Sequence, residues 1–257
     1  MIVVEYLVEN RIAHITLNRA EKRNAFNPEM IVELTKSFKL AEHDEKVKVI
    51  ILKAKGDVFS AGADLDYLKK LQANSFEENL EDSNLLKKLF NLIYQQPKIV
   101  IAQVEGHAIA GGCGLASICD FVFSTPEAKF GYSEVKIGFI PAIVAVFLIR
   151  KIGEGKAKEL LFSGDLIDAE RAREIGLINY ISESDKIETD VNDYAEKLCK
   201  TTSAQSIALT KQLINNVQDL ELEEALDFAA EMNAHARSTN DCKKGIGAFL
   251  GKIKIQW

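Results

Sequence analysis

Before Pro141, short apolar segments rich in β-branched residues alternate with segments in which apolar residues recur at helical spacing. Helices are predicted from Pro28, with Asn27 as N-cap, and over about Glu77–Tyr94. Because strands separated by a helix join through right-handed crossovers, this order predicts an α/β fold with a largely parallel sheet. The predicted strands are Val3–Val8, Ile12–Leu17 (a hairpin with the first), Val47–Leu52, Ile99–Val104 and one around Phe121–Phe123.

After Pro141 the pattern becomes mainly helical, with one short predicted strand at Leu177–Ile181. We therefore place a boundary near Ser203, between an α/β core (residues 1–202) and a helical C-terminal part (residues 203–257). The predicted helices are Ala142–Lys151, Gly155–Phe162, Ala169–Ile175, Ser184–Lys200, Ala204–Val217, Leu222–Ala236 and Lys243–Lys252.

Composition limits the kinds of function to consider. A net charge of −6 gives no global field that would favour nucleic acid. The N-terminus lacks the basic start and cleavage site of a signal peptide, and no apolar stretch is long enough to cross a bilayer, so we expect a cytoplasmic protein without a membrane partner. The cysteines Cys113, Cys119, Cys199 and Cys242 show no metal-binding spacing, and no metal site is predicted.

Two glycine-containing turns each follow a predicted strand and precede a helix. The first is Phe59–Leu65 (FSAGADL) and the second is Gly106–Gly114 (GHAIAGGCG). Helix N-termini present unpaired N–H groups and favour negative charge. If the turns converge, the N–H groups of Ala63 and Gly111 form an oxyanion hole for a carbonyl that becomes negative during reaction.

Each turn taken alone is explained equally well by tight turning and close packing. Neither turn contains a GxGxxG, Walker A or GxSxG pattern, which disfavours nucleotide-binding and serine-hydrolase interpretations.

Several motifs together resemble the enoyl-CoA hydratase/isomerase (crotonase) superfamily. They are LNRAEKRNAF, FSAGADL, EGHAIAGGCGLASICDFVFSTPEAKFGYSEVKIGFIP, GDLIDAERAREIGLIN and KKGIGAFLGK. The resemblance implies the crotonase fold, a spiral of ββα units with a helical C-terminal trimerisation region. It further implies a homotrimer or a dimer of trimers, and an acyl-CoA substrate in which coenzyme A is a carrier and not a separate cofactor.

The resemblance also implies roles for particular residues. Ala63 and Gly111 match the oxyanion-hole positions, and Glu134 matches a catalytic carboxylate. Phe249 and Lys252 match positions that close over the adenine end of CoA, commonly on a neighbouring subunit. The remaining substrate-binding residues implied are Lys22, Arg23, Ala25, Ala61, Asp64, Leu65, Asp66, Gly112, Gly114 and Tyr132.

The acid–base residues depart from the pattern of hydratases in this family. Such enzymes usually carry a second glutamate where this chain has Gly114. One carboxylate suits an isomerase, which removes a proton and returns it nearby, whereas hydration needs Glu134 to handle both protons or another residue to position water. Tyr132, His107 and Glu105 are the candidates for that second role.

The hypothesis favoured by the whole-chain resemblance is a 2-enoyl-CoA hydratase. A Δ3/Δ2-enoyl-CoA isomerase with Glu134 as sole base is the alternative, and decarboxylation of an acyl-CoA is accessible to the same oxyanion hole. A non-catalytic acyl-CoA-binding protein remains a further alternative, since it would keep Ala63 and Gly111 without needing Glu134.

Overall fold

The computed structural model describes residues 2–257. Within that range it contains ten strands and ten α-helices. The strands are β1 (Val4–Glu9), β2 (Ile12–Leu17), β3 (Val49–Ala54), β4 (Val58–Ser60), β5 (Ile99–Val104), β6 (His107–Ile109), β7 (Phe121–Ser124), β8 (Lys129–Gly131), β9 (Ile167–Asp168) and β10 (Tyr180–Ile181). The helices are α1 (Pro28–His43), α2 (Leu65–Leu71), α3 (Phe76–Tyr94), α4 (Gly111–Ser117), α5 (Ala142–Ser163), α6 (Ala169–Glu174), α7 (Ile187–Thr201), α8 (Ala204–Val217), α9 (Leu222–Ser238) and α10 (Asn240–Leu250).

Two sheets organise the chain. The larger has the order β1-β2-β3-β5-β7-β10, with only the β1–β2 hairpin antiparallel. The smaller has the order β4-β6-β8-β9 and is parallel except for the β8–β9 pair. Each of β3, β5 and β7 is followed at once by a strand of the smaller sheet, which is the ββα spiral expected of the crotonase fold.

The smaller sheet is absent from the sequence-based prediction. Strands β4, β6 and β8 have only three residues each, too few for an apolar periodicity to show. Consequently each glycine turn follows a strand of the smaller sheet, β4 or β6. The prediction that the turns directly follow Val47–Leu52 and Ile99–Val104 is wrong in this respect.

Helix α1 begins as the sequence predicts. The side chain of Asn27 accepts a hydrogen bond from the Met30 N–H, and Pro28 takes the first helical position. The separately predicted helices Ala142–Lys151 and Gly155–Phe162 are also confirmed, because α5 is interrupted between them at Gly153, whose φ of +77° and ψ of +158° are not helical.

The apolar core lies in two clusters on opposite faces of the larger sheet. One contains Phe38, Phe90, Phe130 and Leu148, and the other joins the outer face of the sheet to α7 through residues such as Ile51. Helices α8, α9 and α10 contain no buried residue, and Leu222 and Phe249 are 72% and 84% exposed. None of the helices in residues 2–257 has the length and apolarity needed to span a membrane.

Candidate active site at two glycine turns

The first glycine turn is held between two neighbouring segments. On one side β4 pairs with β6, and on the other Ala63 forms a parallel bridge with Phe26. The Phe26 N–H donates to the Gly62 carbonyl at 2.6 Å, and the Asp64 N–H donates to the Phe26 carbonyl at 2.9 Å. In such a bridge the intervening residue turns its own N–H to the other side. Ala63 therefore directs its N–H away from Phe26, toward the side where the second turn lies.

The second turn owes its direction to Ala110. This residue adopts φ +52° and ψ −127°, a conformation that costs a non-glycine residue about 1–3 kcal/mol. It is held there because its N–H donates to the Gly131 carbonyl at 2.7 Å and its carbonyl accepts the Gly114 N–H at 3.0 Å. Gly111 thus begins α4 with an N–H that has no partner inside the helix.

The two turns touch. A Cβ added to Gly62, which adopts φ +83°, would lie 2.8 Å from the Ala110 Cβ and 3.3 Å from the Gly111 nitrogen. Only glycine fits this approach. Ala63 is exposed and Gly111 partly exposed, and no acceptor within residues 2–257 takes the N–H of either. The structure therefore brings the two predicted donors into neighbouring turns, both open to a ligand oxygen.

Glu134 is a half-buried carboxylate with an unused oxygen. It begins a short 3₁₀ helix, Glu134–Ile137, that follows β8. Its Oε2 is buried and has no hydrogen-bond partner within the described chain. Burial raises the pKa of this carboxyl, and a bond from its own backbone N–H only partly opposes the shift. An unpaired, desolvated carboxylate is suited to exchanging a proton with a ligand.

Tyr132 connects the Glu134 segment to α4. Its side chain is fully buried, and its hydroxyl lies 3.2 Å from the Ser117 Oγ. Burial raises the pKa of Cys113 to about 12, and Glu134 adds to the increase by its charge. The hypothesis that Tyr132 positions water or contacts substrate is therefore not supported, because its hydroxyl is already bonded inside the core.

His107 and Glu105, the other candidates for positioning water, are also bonded elsewhere. The His107 Nδ1 accepts the Lys129 N–H at 3.2 Å, and the Glu105 Oε1 accepts from the Gln103 side chain at 2.7 Å. Both residues are exposed at a strand end, which agrees with capping of the turn.

Gly114 has no room for a side chain. A Cβ built on it would lie 2.2 Å from the Cγ1 of Val144 and 3.1 Å from the Cε1 of Phe90. Val144 and Phe90 are themselves buried. The position at which the resemblance implies a second carboxylate is therefore filled by the packing of α3 and α5 against α4.

The loop before α1 carries several predicted substrate-binding residues. Lys22 pairs with Asp66 at 2.9 Å, both side chains being largely exposed, and that bond raises the pKa of Lys22. The Arg23 carbonyl accepts the Ala61 N–H at 3.0 Å, and Ala25 is buried beside them. These contacts bring the loop against the first glycine turn.

The other predicted substrate-binding residues differ in exposure and in location. Leu65 is 74% exposed at the start of α2, whereas Gly112 is packed so that a Cβ would lie 2.4 Å from the Ser60 carbonyl oxygen. Phe249 and Lys252 are exposed at the end of α10, which packs on α8 and α9. Leu65 and Gly112 therefore belong to the two glycine turns, whereas Phe249 and Lys252 lie elsewhere, at the end of α10.

Three further residues shape the site without having been predicted. Asn24 is fully buried, and its side chain bonds the backbone of Arg19, Lys55 and Val58. Arg19 pairs with Asp64 at 2.6 Å, while Asp64 also caps α2 by accepting two backbone N–H groups. The third residue, Phe26, bridges to Ala63. All three residues lie in the motif LNRAEKRNAF, but the motif alone did not indicate these contacts; Asn24 adopts φ +51°, a conformation that Asn tolerates in loops.

Comparisons with known proteins identify the family of this chain. The sequence model of the enoyl-CoA hydratase/isomerase family matches residues 8–257. A putative enoyl-CoA hydratase from Thermus thermophilus is 41% identical over 95% of this chain and 96% of its own, and a crotonyl-CoA hydratase from Syntrophomonas wolfei is 33% identical over 97% and 95%. The crystal structure of an enoyl-CoA hydratase from Shewanella pealeana matches with a TM-score of 0.94, at 31% identity over 99% of this chain and 96% of that one. The chain therefore belongs to the enoyl-CoA hydratase/isomerase (crotonase) family.

Proposed function

We propose that the protein hydrates a 2-enoyl-CoA to a 3-hydroxyacyl-CoA, and catalyses the reverse dehydration. The observation that carries the proposal is the combination of two unpaired N–H groups in touching turns with a half-buried carboxylate oxygen that has no partner. The Thermus thermophilus and Syntrophomonas wolfei relatives are named as hydratases, which favours hydration over the other reactions open to such a site.

In this proposal Ala63 and Gly111 bind the thioester oxygen. When hydroxide adds to C3 of the enoyl group, the electron pair of the C2–C3 double bond moves toward the carbonyl and leaves an enolate. Two fixed N–H groups stabilise that charge, and removal of one such donor typically costs about 3 kcal/mol of transition-state stabilisation.

Glu134 supplies both proton transfers. Its carboxylate accepts a proton from water as the water oxygen bonds C3, and the resulting carboxylic acid gives that proton to C2 of the enolate. One water molecule thus provides the hydroxyl and the hydrogen that are added, and Glu134 is regenerated. Its raised pKa favours this exchange, because a desolvated carboxylate is a stronger base toward water than an exposed one.

The remaining predicted residues are proposed to hold the CoA carrier. Lys22 and Arg23 lie on the loop packed on the first turn, where their cationic side chains suit phosphate groups. Phe249 and Lys252 are proposed to act on a neighbouring subunit. Helices α8–α10 bury no residue in the isolated chain, which supports residues 203–257 as the surface of a homotrimer or a dimer of trimers. Light scattering coupled to gel filtration measures that state.

Isomerisation of a 3-enoyl-CoA is the second candidate. It is favoured by the filled space at Gly114, because a single carboxylate suffices to take a proton from C2 and return it to C4. A panel of 2-enoyl, 3-enoyl, branched and carboxylated enoyl-CoAs separates the two reactions. Hydration adds the mass of one water, whereas isomerisation moves the double bond at constant mass.

In deuterium oxide, a hydratase is expected to place one deuterium at C2 of the 3-hydroxyacyl product. If the 3-enoyl substrates turn over and the 2-enoyl substrates gain no water, the hydratase proposal is wrong. Turnover of none of these compounds, together with binding of CoA thioesters, would leave a non-catalytic acyl-CoA-binding protein.

A further inference from the structure

Phe26 contacts both turns of the candidate oxyanion hole. Through its backbone it bridges Ala63, by the two hydrogen bonds of 2.6 Å and 2.9 Å to the flanking residues. Through its ring it faces Gly111, since a Cβ built on Gly111 would lie 3.2 Å from the Phe26 Cε2 and 3.3 Å from its Cδ2. One residue therefore fixes one donor by hydrogen bonding and packs against the other.

We propose that Phe26 is a positioning residue that sets the separation of the Ala63 and Gly111 N–H groups. The inference deepens the proposed function and rests on it, because it concerns the same oxyanion hole. Phe26 acts through its neighbours and does not touch the reacting atoms.

The ring is suited to act as a spacer. Phe26 is only 5% exposed and belongs to the main apolar cluster, so its ring has little freedom to move. The Gly111 backbone can approach the ring closely because it lacks a Cβ. On the other side, the contact between Gly62 and Ala110 limits how closely the two glycine turns can approach each other. The gap between the two donors is therefore limited by rigid contacts on both sides.

A smaller side chain at position 26 should relax only part of this arrangement. The backbone bridge to Ala63 does not depend on side-chain identity and should persist. Without the ring, Gly111 is free to move toward the vacated space, and the second donor then moves away from the position that the oxyanion occupies. Misplacement by about 1 Å is enough to reduce a rate by as much as 100-fold.

The test compares Phe26→Leu and Phe26→Ala with Phe38→Leu and Phe38→Ala. Phe38 is a fully buried phenylalanine on α1 in the same apolar cluster, and nothing places it at the glycine turns. Both pairs lose apolar volume and stability, and the loss is larger for replacement by Ala than by Leu. Only the two Phe26 substitutions are expected to lower kcat, by about tenfold for Phe26→Leu and by more for Phe26→Ala. KM should change less than about threefold.

A spectroscopic measurement makes the test independent of turnover. Butyryl-CoA carrying ¹³C at the carbonyl has no double bond to hydrate, and infrared difference spectra report the polarisation of its carbonyl when bound. The wild type and the Phe38 variants should lower the carbonyl stretching frequency relative to free butyryl-CoA. The Phe26 variants should lower the frequency less than the wild type does, and Phe26→Ala should lower it less than Phe26→Leu.

The outcomes are distinguishable. If the wild type leaves the carbonyl frequency unshifted, the proposed oxyanion hole fails, and the inference about Phe26 fails with it. If the wild type shifts the frequency and the Phe26 variants shift it equally, only the positioning role is overturned. Equal loss of kcat in the Phe26 and Phe38 pairs would likewise reduce Phe26 to an ordinary core residue.

Discussion

The side chain of Val144 occupies the space beside Gly114, where a Cβ on the glycine would lie 2.2 Å from the valine Cγ1. The contact joins α5 to α4, the helix that begins with Gly111. This contact explains why the site has one carboxylate, because side chains of the neighbouring helices fill the space beside Gly114. A single substitution could therefore not introduce a second carboxylate there.

Gly114→Glu should therefore destabilise the protein without increasing hydration. Overpacking of this kind typically costs 1–3 kcal/mol, and the added carboxylate would also be partly desolvated. Gly155→Glu is the matched control, because Gly155 is exposed on α5 and a Cβ there meets nothing within 4 Å. Thermal unfolding of both variants checks the prediction.

Adding Val144→Ala to Gly114→Glu should restore part of the lost stability, since the closest clashing atom is removed. The ratio of hydration to isomerisation in the double variant is then informative. A stable Gly114→Glu single variant with faster hydration would contradict the crowding seen in the structure.

Glu134→Gln should reduce turnover by about 10²–10⁴-fold while leaving CoA binding intact, because an amide cannot exchange the proton. Initial rates with crotonyl-CoA and calorimetric titration with CoA provide the two measurements. Glu183→Gln, at an exposed glutamate before α7, serves as the control for loss of one negative charge. A Glu134→Gln variant with wild-type activity would remove the catalytic assignment.

The same substitution should stabilise the protein at neutral pH. Burial raises the Glu134 pKa above its ordinary value of 4.5, so the folded state binds more protons than the unfolded state as pH rises through that window. Stability falls over the same window and stays lower above it. The Tm of Glu134→Gln should exceed that of the wild type at pH 7, by about 2–4 °C for each kcal/mol gained.

This difference should shrink as the pH is lowered through 4.5, because the wild-type carboxyl then becomes protonated in the unfolded state as well as in the folded state. Differential scanning calorimetry across pH 4–8 measures the trend. A constant difference in Tm over that range would mean that charge burial at Glu134 is not its origin.

The sequence predicted the two glycine turns and Glu134, because glycine spacing and the motifs around them are local features. It did not predict the strands that place them, since three-residue strands carry no periodicity and are fixed only by pairing across the chain. For the same reason the crowding at Gly114 was not foreseen: Phe90 and Val144 are distant in sequence and reach the glycine only in the folded chain. Arg19 and Phe26 lie in the motif LNRAEKRNAF, but their contacts with Asp64 and Ala63 join segments that are about 40 residues apart, so the motif alone did not indicate their roles.

Tyr132→Phe should lower stability by about 1 kcal/mol and change kcat little. The substitution removes the hydroxyl that bonds Ser117 but keeps the buried ring. Thermal unfolding and initial-rate measurements on the same sample separate the two effects. A loss of kcat above about 100-fold with unchanged Tm would instead support the water-positioning role considered from the sequence.

Asp64→Asn should destabilise the first glycine turn. Burial alone would raise the pKa of Asp64, but the hydrogen bonds from Arg19 and from the Tyr67 and Asp66 N–H groups lower it below its ordinary value of 3.8. The stabilisation is therefore present in full above about pH 3.8 and is lost as the pH falls through the lowered pKa. At pH 7 the variant should lose roughly 1–3 kcal/mol, because the partly buried Arg19 guanidinium loses a charged partner.

Asp66→Asn offers the comparison for this pair, since the Lys22–Asp66 bridge is exposed and screened by water. We expect its unfolding curve to stay close to that of the wild type at every pH. The unfolding curve of Asp64→Asn should differ from those of the wild type and Asp66→Asn at pH 7. It should approach them below pH 3.8, as the carboxylate of Asp64 in the wild type becomes protonated. Chemical denaturation at several pH values measures this, and an effect of equal size for the two substitutions would show that burial of the Arg19–Asp64 pair adds nothing to the stability of the turn that carries Ala63.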